Sequence, residues 1–423
     1  MTLFQTTAAI LSGAALANYL NHRYLRLPAT MGLMTIGLLT SLGFVLLGKA
    51  GLIDVSHAAG FVRGIDFSET LLHGMLAFLL FAGALHVDLS ELREQKVVIA
   101  VLATVGVVLA TLATGLLFWV GARLLGFDLS LIYALLFGAL ISPTDPIAVL
   151  GILKQAGAPR SLEIKITGES LFNDGIGVVV FLTLLDIALS GSAPKPGEVA
   201  KFLMEEAVGG ALLGLFLGWV TFRLLHSVDE YAVEVLLTLA LAAGGYSLAE
   251  AVHVSAPIAI VVAGLVIGNH GRALAMSDKT REHVDTFWEL LDEILNAVLF
   301  VLMGLEVIAL TLKGNYLGLG GLAIVAVLAG RLFSVGLPVG LLRWRWSFSP
   351  GSVRILTWGG LRGGISIALA LSLPPSPERD LILNATYMVV VFSVLVQGLT
   401  LGPFIRWLGK RGPESGEPDI PRS

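Results

Sequence analysis

Long apolar runs alternate with short polar connections along almost the whole chain. A helix that crosses a bilayer needs about 20 mostly apolar residues. Thirteen stretches meet that pattern, near residues 3–20, 29–48, 69–87, 97–122, 129–153, 165–189, 205–225, 231–250, 255–269, 287–310, 315–342, 351–373 and 383–408. The ninth is short, and no connection is long enough to hold a soluble domain. The pattern predicts an all-α polytopic membrane protein with about 13 transmembrane helices. The opening MTLFQ brings no positive region, and no cleavage-like site follows the first run, so the first helix is expected to be retained. The segment after Trp407 is short and polar.

Composition narrows the class. The 423 residues are 56% apolar and 14% charged, with a mean hydropathy of +0.86. A soluble domain carries about 25% charged residues, so a soluble enzyme of this size is excluded. Disorder is excluded by the same apolarity. A net charge of −4 without a basic block argues against nucleic acid as a partner. The absence of Cys rules out disulfides, thiol catalysis and Cys-ligated zinc.

Charge also sets the expected orientation. Of the 27 Lys and Arg residues, 18 fall on one side of the predicted spans, among them Arg23, Arg26, Lys154, Arg160 and Lys165. Seven fall on the other: Lys49, Arg63, Arg123, Lys195, Lys201, Lys313 and Arg379. The richer side is expected in the cytoplasm, with the N-terminus outside and the C-terminus inside. The remaining two, Arg331 and Arg362, lie within spans.

A charge within a span costs about 2.5–3.5 kcal/mol on insertion scales and so needs a reason. The clear cases are Asp145, Glu169, Asp174, Arg331 and Arg362. Asp186, Glu234, Glu250 and Glu306 sit near span ends, where they are expected to reach water. Asp145 is nine residues from Lys154, Asp174 nine from Lys165, and Arg362 eight from Arg354. At ~1.5 Å per residue, all three lie about 12–14 Å deep, close to the bilayer middle.

The fifth stretch reads ALISPTDPIAVL. Pro143 and Pro146 each remove a backbone donor and clash with the preceding turn, so the helix is expected to break around Thr144 and Asp145. Broken helices are tolerated at this depth where they are buried or line a cavity. In the sixth stretch, TGESLFNDGIGVVVF, helical geometry puts Glu169, Ser170, Asn173 and Asp174 on one arc. Oxygen-bearing side chains beside a broken helix suit a hard cation. In the twelfth, TWGGLRGGISIALALSLP, four glycines flank Arg362 and permit unwinding. Arg362 must be paired, and Glu169 is its expected partner. Arg331 has no evident partner and is assigned a structural role, at an aqueous cleft or a carbonyl end. The five deep charges leave one net negative charge, enough for one cation or one proton to compete for a carboxylate.

At these residues the chain resembles the NhaP-type sodium/proton antiporters, in the electroneutral branch of the monovalent cation:proton antiporters. The resemblance rests on SPTDP (142–146), GESLFNDG (168–175), FWELLDEILNAVLFVLMGLE (287–306) and GGLRGGISIALAL (359–371), and extends over nearly the whole chain. It implies two inverted repeats, with broken helices 5 and 12 crossing at the ion site. It implies a dimerisation domain from 1–95 and 227–312, a core domain from 96–190 and 313–410, a linker helix in 191–226 and a short cytoplasmic tail in 411–423. Asp174 would be the main ion- and proton-binding carboxylate. Asp145, Ser170 and the Thr144 carbonyl would complete the ion shell, with Glu169 acting through water and Asn173 and Arg362 in support. The implied activity is one-for-one exchange of Na⁺ or Li⁺ for H⁺ in the cell membrane by a homodimer, with no cofactor. Ala82 departs from the family, many of whose members have an acid there. Nearby His86 is either an interfacial residue or a pH sensor.

Potassium/proton exchange on the same fold stays open, because selectivity depends on cavity size. An intramembrane aspartyl protease is disfavoured, since TDP and NDG replace its Tyr-Asp and Gly-x-Gly-Asp motifs. A cation channel is disfavoured because no repeated filter loop is visible.

Overall fold

The structure, a computed structural model, describes residues 2–52, 60, 66–191, 196–309, 315–346, 348–349 and 351–409. The expected tail 411–423 lies outside them, as do Arg63, Lys195, Lys313, Lys410, Arg411 and Arg422. The described secondary structure is entirely helical. Each of the 13 expected stretches is helical in whole or in part. Among the described residues, eight helices are long and apolar enough to cross a membrane: Ala29–Gly48, Phe67–Leu85, Lys96–Leu124, Arg160–Ser190, Lys201–Leu225, Tyr231–Ala251, Tyr316–Leu342 and Pro377–Leu408. Leu131–Leu140 and Ala256–Gly271 are shorter apolar helices.

The main helices are α1 (Leu3–Leu20), α2 (Ala29–Lys49), α3 (Leu76–Leu85), α4 (Leu89–Glu94), α5 (Lys96–Ala103), α6 (Val105–Leu124), α7 (Leu131–Leu140), α8 (Ile147–Ala156) and α9 (Arg160–Ser190). They continue with α10 (Pro196–Leu225), α11 (Tyr231–Ala251), α12 (Ala256–Val266), α13 (Asp278–Leu305), α14 (Asn315–Leu342), α15 (Ser352–Trp358), α16 (Gly364–Ser372), α17 (Pro377–Phe392) and α18 (Gly398–Gly409).

Both expected breaks are present. The fifth stretch forms α7 and α8, separated by non-helical residues 141–146. The twelfth forms α15 and α16, separated at 359–363. The tenth begins earlier than its apolar run, because Ser277 caps α13 through its side chain onto Thr280 N–H. Among the described residues four π-helical turns carry no proline, at Asn21–Leu25, Thr70–Met75, Ile267–Gly271 and Ser393–Gln397. Such turns concentrate at functional sites.

Two apolar cores form. One gathers residues from α1, α2, α5 to α9 and α13 to α18, including Phe137, Phe181 and Phe300. The other joins α3 to α11 and α12 around Trp288, whose indole N–H donates to Thr238 Oγ1 at 3.0 Å. Helix α9 contributes to both, through Val178 and Phe181 to the first and Leu171 to the second. Two of the four end-of-span acids depart from expectation. Asp186 is exposed and Glu250 partly so, but Glu234 is 0% and Glu306 9% exposed. A linear count places Glu234 near water; in the fold its turn is covered by neighbouring helices.

Candidate cation-binding site

The two breaks satisfy one another. Asp145 N–H donates to Leu361 O at 2.8 Å. Arg362 Nη1 donates to Ser142 O at 2.7 Å and Pro143 O at 2.9 Å. The Arg362 backbone N–H donates to Ser393 Oγ at 2.9 Å, which ties the second break to the π-turn. Pro143 and Pro146 free carbonyls that a helix would otherwise use, and a guanidinium on the carbonyl end of α7 matches the sign of the helix dipole. A Cβ at Gly363 would lie 2.9 Å from Asp145 Oδ2, so only glycine lets the breaks approach this closely.

The polar arc of α9 divides by direction. Ser170 and Asn173 face the first break. Asn173 Nδ2 donates to Thr144 Oγ1 at 2.8 Å, and Thr144 N–H donates to Asn173 Oδ1 at 3.3 Å. Thr144 Oγ1 and Ser170 Oγ are 2.8 Å apart. Glu169 points elsewhere, and its Oε1 pairs with Arg331 Nη1. This corrects the expected pairing of Glu169 with Arg362. Position along a helix gives depth but not azimuth between helices, and α14 rather than the second break faces Glu169. Arg331 also donates from Nε to Leu356 O at 3.4 Å, close to the carbonyl end of α15. Each broken helix thus carries an arginine at the carbonyl end of its first half.

Thr144, Asp145 and Asp174 line one cavity. Its other walls come from Leu76 and Leu80 on α3, Asn296 and Leu299 on α13, and Gly364 to Ser366 at the start of α16. The Asp145 and Asp174 carboxylates feel each other's charge. Glu169, Ser170, Asn173, Arg331 and Arg362 are buried around the cavity without lining it. The donors are all oxygens, the set a hard cation takes. Among the described residues, no cluster of three or more His, Cys, Asp or Glu side chains suits a transition metal.

A second, wetter cavity opens beside the first, and Gly83 lines both. It has about 430 Å³ of room for water and is walled by His86, Asp88, Glu91, Arg160, Glu289 and Asp292, among others. The Asp88 carboxylate, outside the helices, is held below its usual range by the Ser90 hydroxyl and amide. Arg160 makes a two-point contact with Glu91, at 3.1 and 2.7 Å. His86 Nδ1–H donates to Ala82 O at 2.8 Å, leaving Nε2 3.8 Å from Glu289. Sequence reasoning did not single out Asp292, although Glu289, Asp292 and Glu293 lie within one turn of an expected span. That i, i+3, i+4 spacing was the available signal. Ser366 and Ser393 carry no such signal.

The chain is similar to known proteins over nearly its whole length. A family model described as sodium/hydrogen exchanger, transmembrane, matches residues 10–407. The Na(+)/H(+) antiporter NhaP of Pseudomonas aeruginosa is 52% identical over 414 residues, 96% of each chain. The Na(+)/H(+) antiporter NhaH of Halobacillus dabanensis is 37% identical over 396 residues, 92% of this chain and 93% of that one. The sodium proton antiporter MjNhaP1 from Methanocaldococcus jannaschii shares the fold, with a TM-score of 0.76 at 21% identity, covering 96% of this chain and 99% of that one. A helical bundle with two mutually satisfied breaks beside a cavity lined by Asp145 and Asp174, matched along residues 10–407, places this multi-pass membrane protein in the sodium/hydrogen exchanger family.

Proposed function

We propose that the protein exchanges Na⁺ or Li⁺ for H⁺ across the cell membrane, one for one and without net charge transfer. In this reading cation and proton compete for Asp174. Asp145, Ser170 and Thr144 complete the cation site. Asn173 holds the first break in place, Arg362 fastens it to the second, and Arg331 neutralises Glu169. The observation that carries the reading is the shared cavity of Asp145 and Asp174 at the meeting of two broken helices. Around it, Asp145 and the buried Glu169, Asp174, Arg331 and Arg362 sum to one negative charge, which one monovalent cation or one proton balances.

The exchanger works by alternating access. One cavity wall comes from α3 and α13, inside the proposed dimerisation domain of 1–95 and 227–312. The opposite wall comes from the two breaks and α9, inside the proposed core domain of 96–190 and 313–410. A movement of one against the other would carry the site between sides. The wet cavity is then the cytoplasmic entrance, since it adjoins Lys154 and Arg160 on the side richer in positive residues. The functional unit is a homodimer, with the N-terminus outside and the C-terminus inside, serving sodium and pH homeostasis.

Proteoliposomes test this with Na⁺, Li⁺ and K⁺ gradients at several imposed voltages. The wild type is expected to move protons against Na⁺ or Li⁺ at a rate the voltage does not change. Asp174→Asn is expected to insert normally and exchange nothing. Sodium-driven proton movement persisting in Asp174→Asn would sink the assignment.

A further inference from the structure

The connection between α1 and α2 is built around a buried asparagine. Asn21 is 4% exposed. Its Nδ2 donates to Leu27 O at 3.0 Å, and Leu27 N–H donates back to Oδ1 at 3.3 Å. Arg26 N–H donates to Asn21 O at 2.7 Å, closing a π-helical turn, and Arg26 adopts a left-handed backbone with φ 54°. A Cβ at Gly32 would fall 2.0 Å from Asn21 Oδ1, so a glycine there is what admits the amide. These contacts fix the shape of a connection that a bare loop would leave mobile.

The fixed shape displays cations. Asn18, Asn21, His22, Arg23 and Arg26 surround an open pocket with about 550 Å³ of room. His22, Arg23 and Arg26 are exposed, and no carboxylate lines the pocket. Among the described residues neither arginine has a salt-bridge partner, unlike Arg160 or Arg272 on the same side. Beside the pocket the end of α1 and the π-helical turn after it present Leu16, Tyr19, Tyr24 and Leu25 outward, between 40% and 69% exposed. The Arg23 guanidinium stands 5.7 Å from the Tyr24 ring centroid. Aromatic rings belong at the headgroup level of a bilayer. Cationic pockets between spanning helices on the cytoplasmic side receive lipid phosphates.

We infer that this pocket binds the phosphate of an anionic lipid headgroup, with Arg23 and Arg26 as its charged ligands and Asn18 and His22 as further hydrogen-bonding groups. The flanking apolar side chains favour a lipid over free phosphate, because they offer a seat for acyl chains. The site is remote in sequence from the exchange machinery and does not depend on the exchange reading.

The test is native mass spectrometry of the full chain in neutral detergent, with phosphatidylglycerol, phosphatidylcholine and inorganic phosphate as separate probes. Three proteins are compared: wild type, Arg23→Gln/Arg26→Gln and Arg23→Lys/Arg26→Lys. The wild type is expected to retain phosphatidylglycerol at least about tenfold more tightly than phosphatidylcholine, as two basic side chains at a lipid surface imply. The preference should weaken with salt, disappear in the Gln pair and survive in part in the Lys pair. Equal retention of the two lipids by the wild type, or an undiminished preference in the Gln pair, overturns the proposal. So does displacement of phosphatidylglycerol by an equal concentration of inorganic phosphate, which would mark a free-anion site. If the Gln pair cannot be purified, the salt-dependent lipid preference of the wild type decides.

Discussion

Asn173 does the work of two residues at the first break, since one amide both donates to and accepts from Thr144. Its loss strands the buried Thr144 N–H, at about 1–3 kcal/mol, and leaves Thr144 Oγ1 with Ser170 as its remaining partner. Asn173→Ala is therefore expected to lower thermal stability and to weaken cation affinity together, read by a melting scan with and without Na⁺. The Glu169–Arg331 pair makes a sharper demand. Arg331 is 5% and Glu169 1% exposed, and breaking a buried pair by removing one partner costs about 3–5 kcal/mol. Arg331→Ala should therefore reduce yield and melting temperature, and Glu169→Gln in that background should restore much of the loss. No rescue would mean that the pair is not the source of the effect. The sequence made the five charges deep within the expected spans legible, because a charge within an apolar run stands out, but not the burial of Glu234 and Glu306 near span ends. It left the pairing of the five illegible, because which neighbour each arginine's helix faces is not written in its position along the chain.

The broken helices were the most legible elements. Pro143 and Pro146 remove donors, and four glycines around Arg362 remove side chains, so both breaks follow from local chemistry. The π-turns at Thr70–Met75 and Ser393–Gln397 were not legible, since an inserted residue in a helix leaves no compositional mark. The closeness of the breaks yields a prediction at this scale. Gly363→Ala sets a methyl group 2.9 Å from Asp145 Oδ2 and must displace that carboxylate. The expected result is a several-fold higher KM for Na⁺ in transport assays with near-normal expression; an unchanged KM would show that Asp145 tolerates displacement.

Across the whole molecule, the cavity sits where two apolar cores meet, with α9 contributing to both. Hydrophobic runs set the expectation of an all-helical membrane protein but not which helices would share a core, because every run is apolar enough to pack against any other. The wet cavity and the site share Gly83, where a Cβ would meet only Leu171 Cδ1, at 3.9 Å. Gly83→Leu is accordingly expected to leave folding intact while slowing exchange, measured as Na⁺-dependent proton flux against melting temperature in the same preparation. The central claim is that one carboxylate serves both ions. Its most direct test is the rate of exchange against Na⁺ concentration at a series of pH values in the wild-type protein. Competition at Asp174 requires the apparent KM for Na⁺ to rise as pH falls, by up to about tenfold per unit once the proton dominates, while the maximal rate holds steady. A KM independent of pH with a falling maximal rate would mean that proton and cation bind at different groups.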